Sequence, residues 1–138
     1  MKNNGSCLCG KVKFIINKDL PMIYYCHCSL CRKQSGTGAN SATLVKDTLF
    51  EWVSGIDCIA TFKKELGFTS CFCKNYGYPV PNPVGNTSFI WIPLKLLNDT
   101  PVFQKNLSFC LNSKISWSPV IAVDQEYLEL PNWNELED

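Results

Sequence analysis

The chain has 138 residues, 46% of them hydrophobic, and its 13 basic and 12 acidic side chains leave a net charge of +1. This length fits a single domain over residues 1–138, and a chain of this size buries roughly two thirds of its unfolded surface. The near-neutral charge lacks the signature of a nucleic-acid binder, so we expect no nucleic-acid partner. No apolar leader and no membrane-length apolar run is visible, which favours a cytoplasmic protein without a membrane partner.

Short strand patterns follow one another along the chain. Lys11–Ile16 alternates lysines with apolar side chains, which is typical of a half-buried strand. Further strands rich in β-branched and aromatic residues are predicted at Pro21–Cys26, Ala42–Val45, Leu49–Val53, Cys58–Phe62, Phe68–Phe72 and Ser88–Ile92. Only Ser29–Gln34 and Pro93–Leu97 suggest helical turns. The pattern predicts a mainly β fold of small sheets.

Nine cysteines are the most unusual feature of the composition. An odd number of cysteines without a secretory leader argues against a disulfide framework, since cytosolic thiols are kept reduced. Seven of them form three tight groups, Cys7/Cys9, Cys26/Cys28/Cys31 and Cys71/Cys73. Clustered thiolates select zinc, copper(I) or iron–sulfur clusters. Cys58 and Cys110 have no partner at ligand spacing, so we expect them to be ordinary small apolar side chains.

The group Cys26/Cys28/Cys31 has the spacing of a metal site. Cys26 and Cys28 fall on one side of an extended segment, and Cys31 returns after a short turn. Three protein ligands and one open position are typical of a catalytic zinc, which is the interpretation that we favour. The alternative is a closed structural site, completed by another cysteine or by His27. Because His27 alternates with the two cysteines, we expect it to pack or support the site rather than to bind metal.

The other two C-x-C pairs lie more than sixty residues apart. Each pair offers two sulfurs, and together they suggest a second, four-thiolate site formed by Cys7, Cys9, Cys71 and Cys73. The alternative is that Cys71 or Cys73 is simply a small buried side chain.

Two segments carry a family resemblance. Gly5–Phe14 reads GSCLCGKVKF and Cys26–Gly36 reads CHCSLCRKQSG. Both resemble the glutathione-dependent formaldehyde-activating enzyme family, which also includes the centromere-protein-V type proteins. Weaker agreement continues at Ser54-Gly55, Phe72-Cys73, Gly77–Pro81, Ser113–Trp117 and Leu130–Trp133, so that the resemblance covers about residues 3 to 135.

The resemblance implies a β-tent fold related to zinc ribbons, with one or two zinc ions. It also implies a carbon–sulfur lyase whose reverse reaction joins glutathione to formaldehyde as S-hydroxymethylglutathione. The catalytic zinc would be held by Cys26, Cys28 and Cys31. Three ligands of a structural zinc would be Cys7, Cys9 and Cys73.

The fourth structural ligand departs from the family pattern. The family's C-x-x-C-G aligns with Cys73–Gly77, which places Tyr76 where a cysteine belongs. A phenol with a pKa near 10 is a poor zinc ligand at neutral pH. Cys71 is a possible substitute ligand, because residues i and i+2 share one side of a strand. The other possibilities are a weaker three-thiolate site completed by water, or an empty site.

Arg32 and Lys33 follow the second cysteine group directly. They would lower the pKa values of the thiols and could bind the carboxylates of glutathione, or they are solvated surface charges. The substrates implied by the resemblance are a small thiol and an aldehyde. The alternative function is a non-catalytic, zinc-stabilised interaction module, since a fold alone does not establish an activity.

Overall fold

The computed structural model describes residues 2–64 and 68–136, and it confirms a mainly β fold of several small sheets. These residues form the helix α1 (Ser29–Ser35) and the strands β1 (Asn3–Ser6), β2 (Lys13–Ile16), β3 (Met22–Cys26), β4 (Asn40–Lys46), β5 (Phe50–Ser54), β6 (Ile59–Lys63), β7 (Thr69–Cys73), β8 (Pro79–Val80), β9 (Asn82–Pro83), β10 (Phe89–Pro93), β11 (Lys105–Phe109) and β12 (Gln125–Glu126). Short 3-10 helices occupy Asp47–Leu49, Ile56–Cys58, Leu94–Leu96, Leu111–Ser113 and Trp133–Leu136.

The predicted strands are all present, with their ends shifted by at most two residues, and the predicted turn at Ser29–Gln34 is α1. The second predicted helical turn contains the 3-10 helix Leu94–Leu96. Five strands were not predicted, namely β1, β8, β9, β11 and β12. In the part of the chain that the structure describes, no helix is both long enough and apolar enough to cross a membrane.

The chain divides into two compact units, of which the first comprises Met1–Leu20 and Thr43–Val102. It contains the antiparallel sheet β1-β2-β5, the antiparallel sheet β6-β7-β8 and the antiparallel pair β9-β10. On β2 the predicted alternation is observed, with Phe14 and Ile16 buried and Lys13 exposed. The Phe14 ring stacks on that of Phe50, with centroids 5.5 Å apart.

The second unit comprises Pro21–Ala42 and Phe103–Asp138. Strand β11 pairs in parallel with β3 and with β12, and β3 pairs antiparallel with the beginning of β4. The rings of Tyr24 on β3 and Phe109 on β11 stack with centroids 4.4 Å apart, and both side chains are buried. This pairing fixes the ends of β3 and β11 side by side, which matters for the second cysteine group.

Candidate metal sites

The first cysteine group assembles in the first unit from two distant segments. The sulfur of Cys7 lies 3.0 Å from that of Cys9 and 3.9 Å from that of Cys73, and Cys9 and Cys73 are 3.4 Å apart. Tetrahedral zinc–sulfur bonds of about 2.3 Å place sulfurs about 3.8 Å apart, so the three sulfurs need to move by less than about 1 Å to hold the ion. Their chemistry and spacing fit a thiolate-bound metal.

Backbone amides surround these sulfurs. The amide of Lys11 donates to the Cys9 sulfur, and the amides of Asn75 and Tyr76 donate to the Cys73 sulfur. Hydrogen bonds from the Cys7 thiol and the Lys11 amide lower the pKa of Cys9 to about 6. Burial raises the pKa of Cys73, which lies in an apolar cluster with Val12 and Val80. Donors that stabilise a thiolate prepare the site for a cation, since thiolate is the form that binds metal.

Cys71 lies outside this three-sulfur group. Its side chain is buried in the same apolar cluster as Cys73, as expected for positions i and i+2, but its sulfur is hydrogen-bonded to the Thr61 hydroxyl at 3.5 Å. Within the described residues, the group whose sulfurs all approach within 4.8 Å consists of Cys7, Cys9 and Cys73. Tyr76 is exposed, with its ring edge-on to that of Tyr78. The bond to Thr61 disfavours the predicted metal binding by Cys71, and substitution of Cys71 tests it.

The second cysteine group lies in the second unit, where β3 ends and α1 begins. The sulfurs of Cys26, Cys28 and Cys31 all lie within 4.8 Å of one another. Cys28 is the N-cap of α1, and its sulfur accepts a hydrogen bond from the Cys31 amide at 3.3 Å. Hydrogen bonds from the other two thiols of the group, that of Cys26 first, hold the pKa of Cys28 well below its usual value, whereas the same Cys26–Cys28 contact raises the pKa of Cys26. These contacts favour the thiolate form at Cys28.

The neighbours of this group occupy different environments. His27 is buried, its amide donates to the Phe109 carbonyl at 3.0 Å, and its Nδ1 has no hydrogen-bond partner among the described residues. Burial, followed by the charges of Lys114 and Arg32, lowers the pKa of His27. Arg32 Nε donates to the His27 carbonyl at 3.0 Å, and Lys33 is exposed. His27 is not part of the three-sulfur group.

Cys110 lies beside the second cysteine group, a proximity that its isolated position in the sequence did not predict. Cys110 is half-buried directly after β11, and its thiol lies beside that of Cys26. Burial raises the pKa of Cys110, and the neighbouring Cys28 charge raises it further. No local spacing signals this proximity, because it depends on the pairing of β11 with β3. Cys58, by contrast, packs against the apolar cluster around Cys7 and Cys73.

The fold and these two groups define a mainly β protein with two thiol clusters that could each hold a metal ion. Residues 2–112 match the family model described as "Glutathione-dependent formaldehyde-activating enzyme". The chain therefore belongs to that family, as its two cysteine motifs predicted.

Two similar proteins accompany the family match. A Halomonas elongata protein named "Putative glutathione-dependent formaldehyde-activating enzyme" is 35% identical over 68 residues, which are 48% of this chain and 43% of that protein. The match thus spans less than half the length of that relative. A crystal structure of a Rhodobacter sphaeroides protein aligns with a TM-score of 0.59 at 19% identity, covering 70% of this chain and 89% of the other. That likeness supports the fold.

Proposed function

We propose that this protein binds zinc at both cysteine groups and joins glutathione, or a similar small thiol, to formaldehyde as S-hydroxymethylglutathione. The observation that carries the proposal is the gathering of the Cys26, Cys28 and Cys31 sulfurs within 4.8 Å of one another. Thiolate sets of this kind favour zinc among the metals without redox chemistry. Family membership supports the choice of substrates.

The reaction needs little beyond the correct placement of two reactants. A carbon–sulfur bond forms between the thiol and formaldehyde, and the thiol proton ends on the former carbonyl oxygen. A bound zinc supplies a site that holds a thiol as its thiolate or polarises a carbonyl. Holding both reactants together replaces a bimolecular encounter with a reaction between positioned groups.

The residues around the second group have separate parts in this proposal. The amide of Cys31 orients the Cys28 sulfur, and the Arg32 side chain holds the His27 carbonyl, which fixes the backbone between Cys26 and Cys28. Lys33 is exposed on the same helix and offers a cation for a glutathione carboxylate. A thiol-dependent activity of this kind suits a reducing compartment such as the cytoplasm.

The test compares formaldehyde–glutathione exchange, measured by NMR, with and without the zinc-loaded protein. We expect faster exchange with the wild type and with Cys58→Ser, and exchange at the spontaneous rate with Cys28→Ser. Metal content is measured on the same samples, and we expect Cys28→Ser to hold one zinc fewer. If the zinc-loaded wild type never exceeds the spontaneous rate, the protein is a zinc-stabilised binding module instead.

A further inference from the structure

We propose that Cys110 is a fourth sulfur donor of the group formed by Cys26, Cys28 and Cys31. The inference rests on the zinc site of the proposed function and extends it, because the family resemblance supplies only three ligands there. With Cys110, the three sulfur ligands and one open position become four sulfur ligands.

Strand pairing brings Cys110 to the group. In the parallel pair of β3 and β11, Phe109 stands opposite Cys26, and the His27 amide binds the Phe109 carbonyl at 3.0 Å. Cys110, which follows Phe109, therefore lies next to the end of β3. There the Cys110 side chain lies beside that of Cys26.

The backbone at Cys110 departs from strand geometry at this point. With φ at 60° and ψ at 43°, it is the single non-glycine residue with a positive φ among residues 2–64 and 68–136. An extended residue here would place its side chain on the face opposite to Phe109. The left-handed conformation ends that alternation, and it is one that side chains other than glycine adopt only at a cost. Cys110 adopts this costly conformation and lies beside another thiol. Together these two features indicate a role for its sulfur.

The Cys110 sulfur must rotate to reach all three other sulfurs. Cys110 lies against Cys26 and is not within 4.8 Å of all three other sulfurs. The position of its sulfur depends on one rotatable bond, which has three staggered settings. Four sulfurs saturate a tetrahedral metal, so an external thiol then competes with Cys110 for its position.

The test uses cadmium-113 NMR of the cadmium-loaded protein, since cadmium takes the place of zinc in thiolate sites and its resonance reports the donor atoms of each site separately. The resonance of the second site is the one that shifts or disappears in Cys28→Ser. We expect this resonance to shift to lower frequency in Cys110→Gly, because a sulfur donor is replaced by oxygen or nitrogen. The resonance of the first site stays unchanged, and in Cys58→Ala neither resonance moves.

Glycine accepts a positive φ without strain, so Cys110→Gly removes the sulfur while suiting the backbone. Should that variant fold poorly, Cys110→Ser gives the same measurement. An identical second-site resonance in the wild type and in the Cys110 variant overturns this inference and leaves the proposed zinc site intact. A wild type without any Cys28-dependent resonance overturns both.

Discussion

The sulfurs of Cys9 and Cys73 lie 3.4 Å apart, although 64 residues separate them along the chain. A metal bound between them links the loop before β2 to the end of β7. Because those segments approach only in the folded chain, metal binding there adds directly to the free energy of unfolding.

Replacement of Cys73 by serine should remove this metal. We expect one zinc fewer per chain and a lower melting temperature, since structural zinc supplies on the order of 10 kcal/mol of apparent binding free energy in small motifs. Elemental analysis and thermal unfolding measure both effects. The matched control is Cys71→Ser, which lies two positions away and should keep its zinc because the Cys71 sulfur bonds to Thr61. Equal zinc loss in both variants would show that Cys71 is a ligand after all.

Tyr76→Cys should strengthen the first site. Tyr76 is exposed and its amide already donates to the Cys73 sulfur, so a thiol at this position adds a donor beside the group without disturbing a core. We expect zinc at this site to leave more slowly when a chelator is added. The control is Tyr78→Cys, which changes the other ring of the exposed aromatic pair. Chelation at the same rate in Tyr76→Cys and wild type would contradict the prediction.

The reactivity of Cys9 in the reduced, metal-free protein should depend on pH in a characteristic way. Its pKa is lowered from 9.0 to about 6, so the thiolate is present above about pH 6 and is lost as the pH falls below that value. The rate of alkylation at Cys9 should therefore rise through about pH 6, whereas that at Cys110, whose pKa is raised, should rise only above 9.0. Peptide mapping by mass spectrometry measures both.

Removal of the hydrogen-bond donor provides the control for this effect. In Cys7→Ala the alkylation midpoint of Cys9 should move to higher pH, because the Cys7 thiol makes the largest contribution to the lowered value. An alkylation midpoint of Cys9 near pH 9.0 in the wild type would argue against the hydrogen bonds to the Cys9 sulfur.

Gly55→Ala should destabilise the first unit more than Gly85→Ala does. Both glycines have a positive φ, at 82° and 48°, but an added methyl group at Gly55 would collide with the Lys11 carbonyl while Gly85 faces open space. Left-handed backbone costs about 1–2 kcal/mol in either variant. The collision adds about 1–3 kcal/mol at Gly55 alone. Urea unfolding of both variants measures the difference, and equal midpoints would disprove it.

The sequence was sufficient for features that depend on local spacing. The alternation in Lys11–Ile16 predicted the buried face of β2, and the close spacing of Cys26, Cys28 and Cys31 predicted that their sulfurs gather. Strand β11 was missed because Lys105–Phe109 carries Asn106 and Ser108, and its strand conformation depends on pairing with β3. The proximity of Cys110 to the second cysteine group was missed for the same reason.

Cys71 illustrates a second limit of local patterns. Strand periodicity correctly placed Cys71 and Cys73 in one apolar cluster. It could not show that β6 supplies Thr61 directly opposite Cys71, where the hydroxyl bonds to the sulfur. Cross-strand partners depend on register, which a single strand does not reveal.

The two cysteine groups also differ in when three sulfurs of each become available during synthesis. Cys26, Cys28 and Cys31 emerge from the ribosome almost together, and such a short segment can hold a metal ion before the rest of the chain exists. Metal that also binds the unfolded chain contributes less to folding stability. The group of Cys7, Cys9 and Cys73 cannot form until residue 73 has been synthesised. An ion bound there therefore stabilises only the folded state. An ion at the local group therefore adds less to folding stability than an ion at the group that joins distant segments.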